Sequence, residues 1–153
     1  MRVAKKEIQR RVARFEQVCR QHGLKVTHQR TQIFRELAAA VDHPDVETLY
    51  KRVHRRVPAV SLDTVYRTLA LLEEKGLVRR AELQSGPARY DANTNPHHHF
   101  VCSVCGLVRD VYSREMDNLA VPSSVQGIGT VLSSHVQLRG LCARCAQGRR
   151  RGE

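Results

Sequence analysis

Tryptophan is absent from this 153-residue chain, and aromatic residues of all kinds make up 5% of it. A core of many large rings is therefore excluded, and the interior has to be built from aliphatic side chains and a few phenylalanines. No run approaches the roughly 18 consecutive apolar residues of a membrane span. The opening MRVAKKEIQRR carries charge where a secretory leader has its apolar stretch. A non-secreted protein with no membrane partner is expected. Neither a nucleophile-base pair nor a glycine-rich cofactor loop is present, which leaves an enzyme as the weakest reading. Cysteine is also sparse, five in all, yet four of them fall into two CxxC pairs. In a non-secreted chain that spacing points to zinc or redox chemistry ahead of structural disulfides.

Acidic residues are the other shortage: 15 against 26 lysines and arginines, a formal net charge of +11. The imbalance is local. Residues 1–90 hold 19 basic and 10 acidic side chains, while residues 91–153 hold 7 and 5. The first part suits a polyanion, and the second has no such need. A bare solvated basic surface is the bland alternative.

The basic part reads as helices. Ile8, Val12, Phe15 and Val18 or Cys19 recur at helical spacing up to Gly23. A second helix starts near Thr27 and carries Ile33, Phe34 and Leu37, and a third is capped by Asp45 and carries Val46, Leu49, Tyr50 and Val53. Ser61 caps a fourth, SLDTVYRTLALLEEKG, with Leu62, Val65, Leu69 and Leu72 on one face and Gly76 at its end. LVRRAELQSGPARYD follows as two short extended runs around a Ser-Gly-Pro turn. Helices followed by a hairpin in this order make a winged helix-turn-helix, with the fourth helix offered to the major groove. Thr64, Tyr66, Arg67 and Thr68 are its expected outward residues, and Arg30 is a further basic candidate for contact with double-stranded DNA. The alternative is an amphipathic helix in an ordinary α-rich core.

Beyond Asn95 the texture changes to short β-runs, HHFVC, LVRDVY and TVLSSHVQLRGLC, with one short helical stretch around SREMDNLA. The expected fold is α+β, with a winged helix-turn-helix domain over residues 1–90 and a small α/β domain over residues 91–153. The closing QGRRRGE reads as an irregular solvated tail.

Zinc takes four ligands in a tetrahedron, and each CxxC turn offers two thiolates. Cys102 and Cys105 supply one half and Cys142 and Cys145 the other, with Gly106 suited to the tight knuckle. The histidines of NPHHHFVC are then left over. In an extended segment His97 and His99 point to one side and His98 to the other. Asp91, Asp110 and the distant His43 are available donors. Nitrogen and carboxylate ligands suit ferrous iron, manganese, zinc or nickel. A histidine triplet alone is weak evidence, and an incidental surface cluster remains the alternative.

Taken together, GLKVTHQR, DHPDVETLY, SLDTVYRTLALLEEKGLV, RYD, HHHFVCSVCGLVRDV and RGLCARC resemble the ferric uptake regulator family of bacterial metal-dependent repressors, and the peroxide-responsive subgroup most. The resemblance spans about Gly23 to Cys145 and implies a cytoplasmic homodimer whose C-terminal α/β domain dimerises. It implies one structural Zn2+ per subunit on the four paired cysteines. It further implies one regulatory Fe2+ or Mn2+ per subunit on His43, Asp91, His97, His99 and Asp110, with His43 and His97 as the histidines oxidised by peroxide. Asp110, where iron-uptake members usually carry glutamate, favours the peroxide subgroup over an iron, manganese or zinc uptake repressor. His135 lies seven residues before Cys142, whereas many relatives have a histidine eight before it. A third metal site using His98, Asp117 and His135 is thereby in doubt. The helix before that strand reads as short and is broken by Pro122. A zinc-stabilised interaction or storage module that ignores DNA would be expected to have a neutral or acidic first half.

Overall fold

Spacing and caps together write four helices into the first part of the chain. Val12, Phe15 and Cys19 recur on one face of α1 (Lys5–Gln21) and are all buried. At the start of α2 (His28–Ala39) the Thr27 hydroxyl accepts the Arg30 backbone N–H at 3.2 Å. Asp45 and Ser61 do the same for α3 (Val46–His54) and α4 (Leu62–Glu74), at 2.7 and 3.0 Å. Each cap satisfies an N–H that the helix itself leaves without a partner, worth about 1 kcal/mol. Phe15 stacks on Phe34 with centroids 4.9 Å apart, inside a core completed by Ile33, Leu37, Leu49, Val65, Leu69 and Leu72. Burying an aliphatic or aromatic side chain of this size stabilises by about 1.5–3 kcal/mol.

This computed structural model describes residues 2–81 and 86–150, and the chain divides into two units, Met1–Thr94 and Asn95–Glu153. The first unit ends in a hairpin. Strand β1 (Arg79–Ala81) pairs antiparallel with β2 (Arg89–Asp91), with Arg80 opposite Tyr90. Gly76, at φ +67°, takes the left-handed turn that lets the chain leave α4 for β1. The Arg80 guanidinium bonds Glu73 near the end of α4 at 3.0 Å, which ties the wing to that helix. The Ser85 of the expected Ser-Gly-Pro turn lies outside the described residues.

Two expectations about α4 are corrected. Leu62 is exposed, because it sits in the first turn, beyond the stretch that packs on the core. Thr68 is buried at 3% exposure. It lies three residues after Val65 and four before Leu72, which places it in the same stripe as those two.

In the second unit β3 (His98–Cys102) is central. It pairs antiparallel with β4 (Val108–Val111) and parallel with β5 (Gln137–Gly140). A parallel neighbour requires a crossover. Here it contains the short α5 (Arg114–Asp117) and a 3-10 turn, Ser123–Val125. The β-run expected from Thr130 forms strand only from Gln137. Val131 and Leu132 are exposed, at 41% and 93%, and neither lies in a strand. The expected irregular tail is also corrected: α6 (Ala143–Arg150) starts at the second CxxC and continues into it, with the Ala146 N–H donated to the Cys142 carbonyl at 2.9 Å. Residues 151–153 lie outside the described ones.

Candidate metal centres and recognition helix

Cys102 ends β3, Cys105 follows in the turn before β4, and Cys142 and Cys145 sit at the start of α6. Parallel pairing of β3 with β5 sets Cys102 opposite Gly140 and so delivers the second pair to the first. One sulfur from each of the four cysteines lies within 4.8 Å of the others, and Cys105 Sγ is 3.7 Å from Cys142 Sγ. Tetrahedral zinc with bonds of about 2.3 Å needs sulfurs about 3.8 Å apart, so the cluster has the right size. Gly106 at φ +68° makes the knuckle, donating its N–H to the Cys102 carbonyl at 3.0 Å. Backbone N–H groups of Cys105 and Cys142 point at Cys102 and lower its pKa to about 6, whereas hydrogen bonding to Cys142 holds Cys145 up to about 12. Backbone donors aimed at a sulfur favour thiolate, the form that binds metal.

The nitrogen and oxygen donors occur in both units. In the second, His97 Nε2 stands 3.1 Å from His99 Nε2, and Asp110 Oδ1 lies 3.7 and 3.9 Å from those two atoms. Register explains the grouping: His99 is opposite Asp110 across the β3–β4 pair. His97 Nδ1 is 2.7 Å from the Asn95 carbonyl, an acceptor only, so the ring proton is on Nδ1 and Nε2 presents its lone pair. His99 Nδ1 is likewise engaged, 3.0 Å from His135 Nε2. A lone pair aimed at a neighbouring imidazole nitrogen and a carboxylate oxygen is the arrangement a divalent cation organises.

In the first unit, His43 precedes Pro44 in the turn between α2 and α3, and Asp91 ends β2. Their side chains are 3% and 8% exposed, and His43 Nε2 is 3.4 Å from Asp91 Oδ2. Asp91 Oδ1 accepts the Asn93 N–H at 2.7 Å, which orients the carboxylate.

His98 points the other way, as strand alternation requires. Its Nδ1 accepts the Val136 N–H at 3.1 Å and its Nε2 faces Asp117 Oδ1 at 3.1 Å. His135 has its ring centroid 5.8 Å from that of His98. Tyr112, which the sequence did not single out, donates its hydroxyl to Asp110 Oδ2 at 3.4 Å. Tyr112 directly follows β4, two residues beyond Asp110, and that spacing was the available clue.

Of the expected DNA contacts, Tyr66 and Arg67 are exposed on α4, with Arg67 paired to Asp63 at 2.9 Å. Thr64 holds its hydroxyl 2.9 Å from Ser61 Oγ, and Arg30 donates to the Lys25 carbonyl at 2.8 Å. Thr68, being buried, presents nothing to a groove. Cys19 is buried in the helical core, as expected of an unpaired cysteine there. His22 and His28 are exposed. Among the described residues no helix is long and apolar enough to cross a membrane.

The sequence model of the Ferric uptake regulator family matches residues 21–135. A ferric uptake regulation protein of Rhizobium leguminosarum bv. viciae is 37% identical over 105 residues, 68% of this chain and 74% of that one. A peroxide-responsive repressor of Staphylococcus epidermidis is 26% identical over 128 residues, 84% and 85% of the two chains. Among solved structures, the Helicobacter pylori ferric uptake regulator superposes with a TM-score of 0.72 at 20% identity, over 95% of this chain and 97% of that one, and shares the α+β winged-helix fold with a small C-terminal domain. The chain belongs to the ferric uptake regulator family of metal-dependent transcriptional regulators.

Proposed function

We propose that this chain is a cytoplasmic, homodimeric repressor of operator DNA that senses hydrogen peroxide through a regulatory metal. Cys102, Cys105, Cys142 and Cys145 hold one structural Zn2+ per subunit. His43, Asp91, His97, His99 and Asp110 hold one Fe2+ or Mn2+ per subunit, so that one ion takes ligands from both units. The observation that carries this reading is the facing pair of His97 and His99 nitrogens beside Asp110, with the His97 proton committed to Asn95. The donor set is all nitrogen and oxygen, which fits ferrous iron and manganese. Ion binding favours the DNA-competent arrangement of the two units because only there are both halves of the donor set engaged.

Bound ferrous iron supplies redox chemistry beside its own ligands. One peroxide oxygen enters an imidazole C–H bond of His43 or His97 and the other leaves as water, with peroxide as the two-electron acceptor. An oxidised ring is a poorer donor, so the ion and then the operator are released. Arg30 and, on α4, Thr64, Tyr66 and Arg67 are the residues assigned to DNA. Ile128 and Leu132, 81% and 93% exposed, give the second unit apolar surface for a second copy to cover.

Zinc-loaded protein with iron or with manganese is titrated onto operator DNA before and after peroxide, and the peptides holding His43 and His97 are weighed. The iron form should release DNA and gain one oxygen atom, while the manganese form keeps both DNA and mass. If the iron form keeps its DNA and gains no oxygen, the alternative holds: an iron, manganese or zinc uptake repressor, the reading that the 37% identical relative favours.

A further inference from the structure

His43 has an unusual backbone for a ligand residue. Its φ of +50° makes it the sole non-glycine with positive φ among the described residues, and its side chain is buried. A non-glycine residue in the left-handed region is strained, because its Cβ crowds the following carbonyl oxygen, and it persists when its surroundings over-determine it. Those surroundings include three ties. From α3, Arg52 grips Asp42, the residue before His43, with Nη1 on Oδ1 at 3.0 Å and Nη2 on Oδ2. From β2, Arg89 Nη1 lies 3.4 Å from both the Asp42 and the His43 carbonyl oxygens. The backbone joins the same two segments, with the Tyr90 N–H donated to the Pro44 carbonyl at 3.1 Å and Asp45 bridged to Arg89.

Arg89 is two residues before Asp91 and reaches the turn that carries His43. One guanidinium therefore fixes the offset between two ligands 48 positions apart. Arg52 is half-buried, and its bidentate fork suits a carboxylate as a lysine ammonium would not. An ordinary turn before a helix needs only the Asp45 cap, which is already present. The additional guanidinium contacts fall on the two residues at and before the strained position.

We infer that Arg52, through Asp42, and Arg89 are positioning residues that hold the His43 backbone in its left-handed conformation and so preorganise the His43–Asp91 half of the regulatory site for a divalent cation. The inference rests on the site assignment given above. Neither arginine is a ligand. Each raises the fraction of molecules in which His43 already faces Asp91, and apparent affinity scales with that fraction.

The test measures Mn2+ affinity of the zinc-loaded full-length chain for wild type, Arg52→Gln, Arg52→Lys, Arg89→Met and His43→Ala, with the Co2+ absorption spectrum at saturation as a second readout. Arg52→Gln and Arg89→Met should each weaken Mn2+ roughly tenfold, the range seen when outer partners of ligands are lost. Arg52→Lys should recover part of that loss. The saturated Co2+ spectrum should stay unchanged in all three, because the ligands are the same, whereas His43→Ala should change it and abolish tight binding. Wild-type Mn2+ affinity in folded Arg52→Gln and Arg89→Met, with His43→Ala defective, overturns the clamp and leaves the site standing. Wild-type binding by His43→Ala overturns the site assignment itself. Should Arg52→Gln fail to fold, Arg89→Met, whose backbone pairing in β2 is independent of its side chain, decides.

Discussion

Asp45 accepts the backbone N–H of Thr48 at 2.7 Å, and this single bond both starts α3 and ends the turn in which His43 stands. The hydrogen bond to Thr48 lowers the Asp45 pKa below the ordinary carboxylate value, since the acceptor must be ionised to be fully effective. A depressed folded-state pKa contributes stability that is complete above the unfolded value and lost as pH falls through the folded one.

Asp45→Ala should therefore lower stability by about 1 kcal/mol at neutral pH. The deficit should shrink once pH drops below the carboxylate range, where wild type loses the same bond. Urea denaturation followed by circular dichroism at neutral and at acidic pH measures both.

Stripping zinc should expose the unequal thiols. With Cys102 lowered to about 6 by backbone N–H donors and Cys145 held up to about 12 by its hydrogen-bonded neighbours, the metal-free cluster should not titrate as four equal groups. Thiolate absorbance should begin to rise near pH 6 and be incomplete well above the usual cysteine range. Zinc uptake should release one more proton below pH 6 than above it, so affinity should fall more steeply with acidification there. Cys102→Ser should remove the early step. A single transition near the ordinary thiol value would show that the N–H groups do not act on the sulfur.

The recognition helix gives a prediction with opposite signs. Arg67 is exposed and held by Asp63 at 2.9 Å. Arg67→Ala should weaken operator binding and lower the salt dependence by about one unit of slope if the guanidinium contacts one phosphate. Asp63→Ala should strengthen non-specific binding by freeing Arg67 and removing a repelling carboxylate. Thr68→Val should leave DNA binding unchanged. Anisotropy with labelled operator across a salt series reports all three.

How much could be seen in the sequence depended on whether a feature is local. The start of α2 near Thr27, the caps at Asp45 and Ser61, the hydrophobic stripe of α1 and the opposed directions of His97/His99 and His98 follow from periodicity and short-range hydrogen bonding, and they are present as read. Thr68 was misplaced because a threonine is polar by composition, yet the 3.6-residue period puts it in line with Val65 and Leu72. Thr130, Val131 and Val136 give the Thr130–Val136 run the β-branched character of a strand, but composition says nothing about whether a partner strand is in reach. The α6 helix begins within the second CxxC pair, directly after Cys142, a placement that composition does not carry. Arg52 and Arg89 were silent because their targets, a carboxylate and two carbonyls, lie far away in sequence.

The central claim is that His43, from the first unit, and His97, from the second, serve one ion. A double-mutant cycle on Mn2+ affinity, comparing His43→Ala, His97→Ala and the double variant in zinc-loaded protein, tests it most directly. Each single change should abolish tight binding beyond zinc, and the double variant should lose no more than either alone. Losses that add, or tight Mn2+ binding that survives one of the single changes, would contradict the shared site.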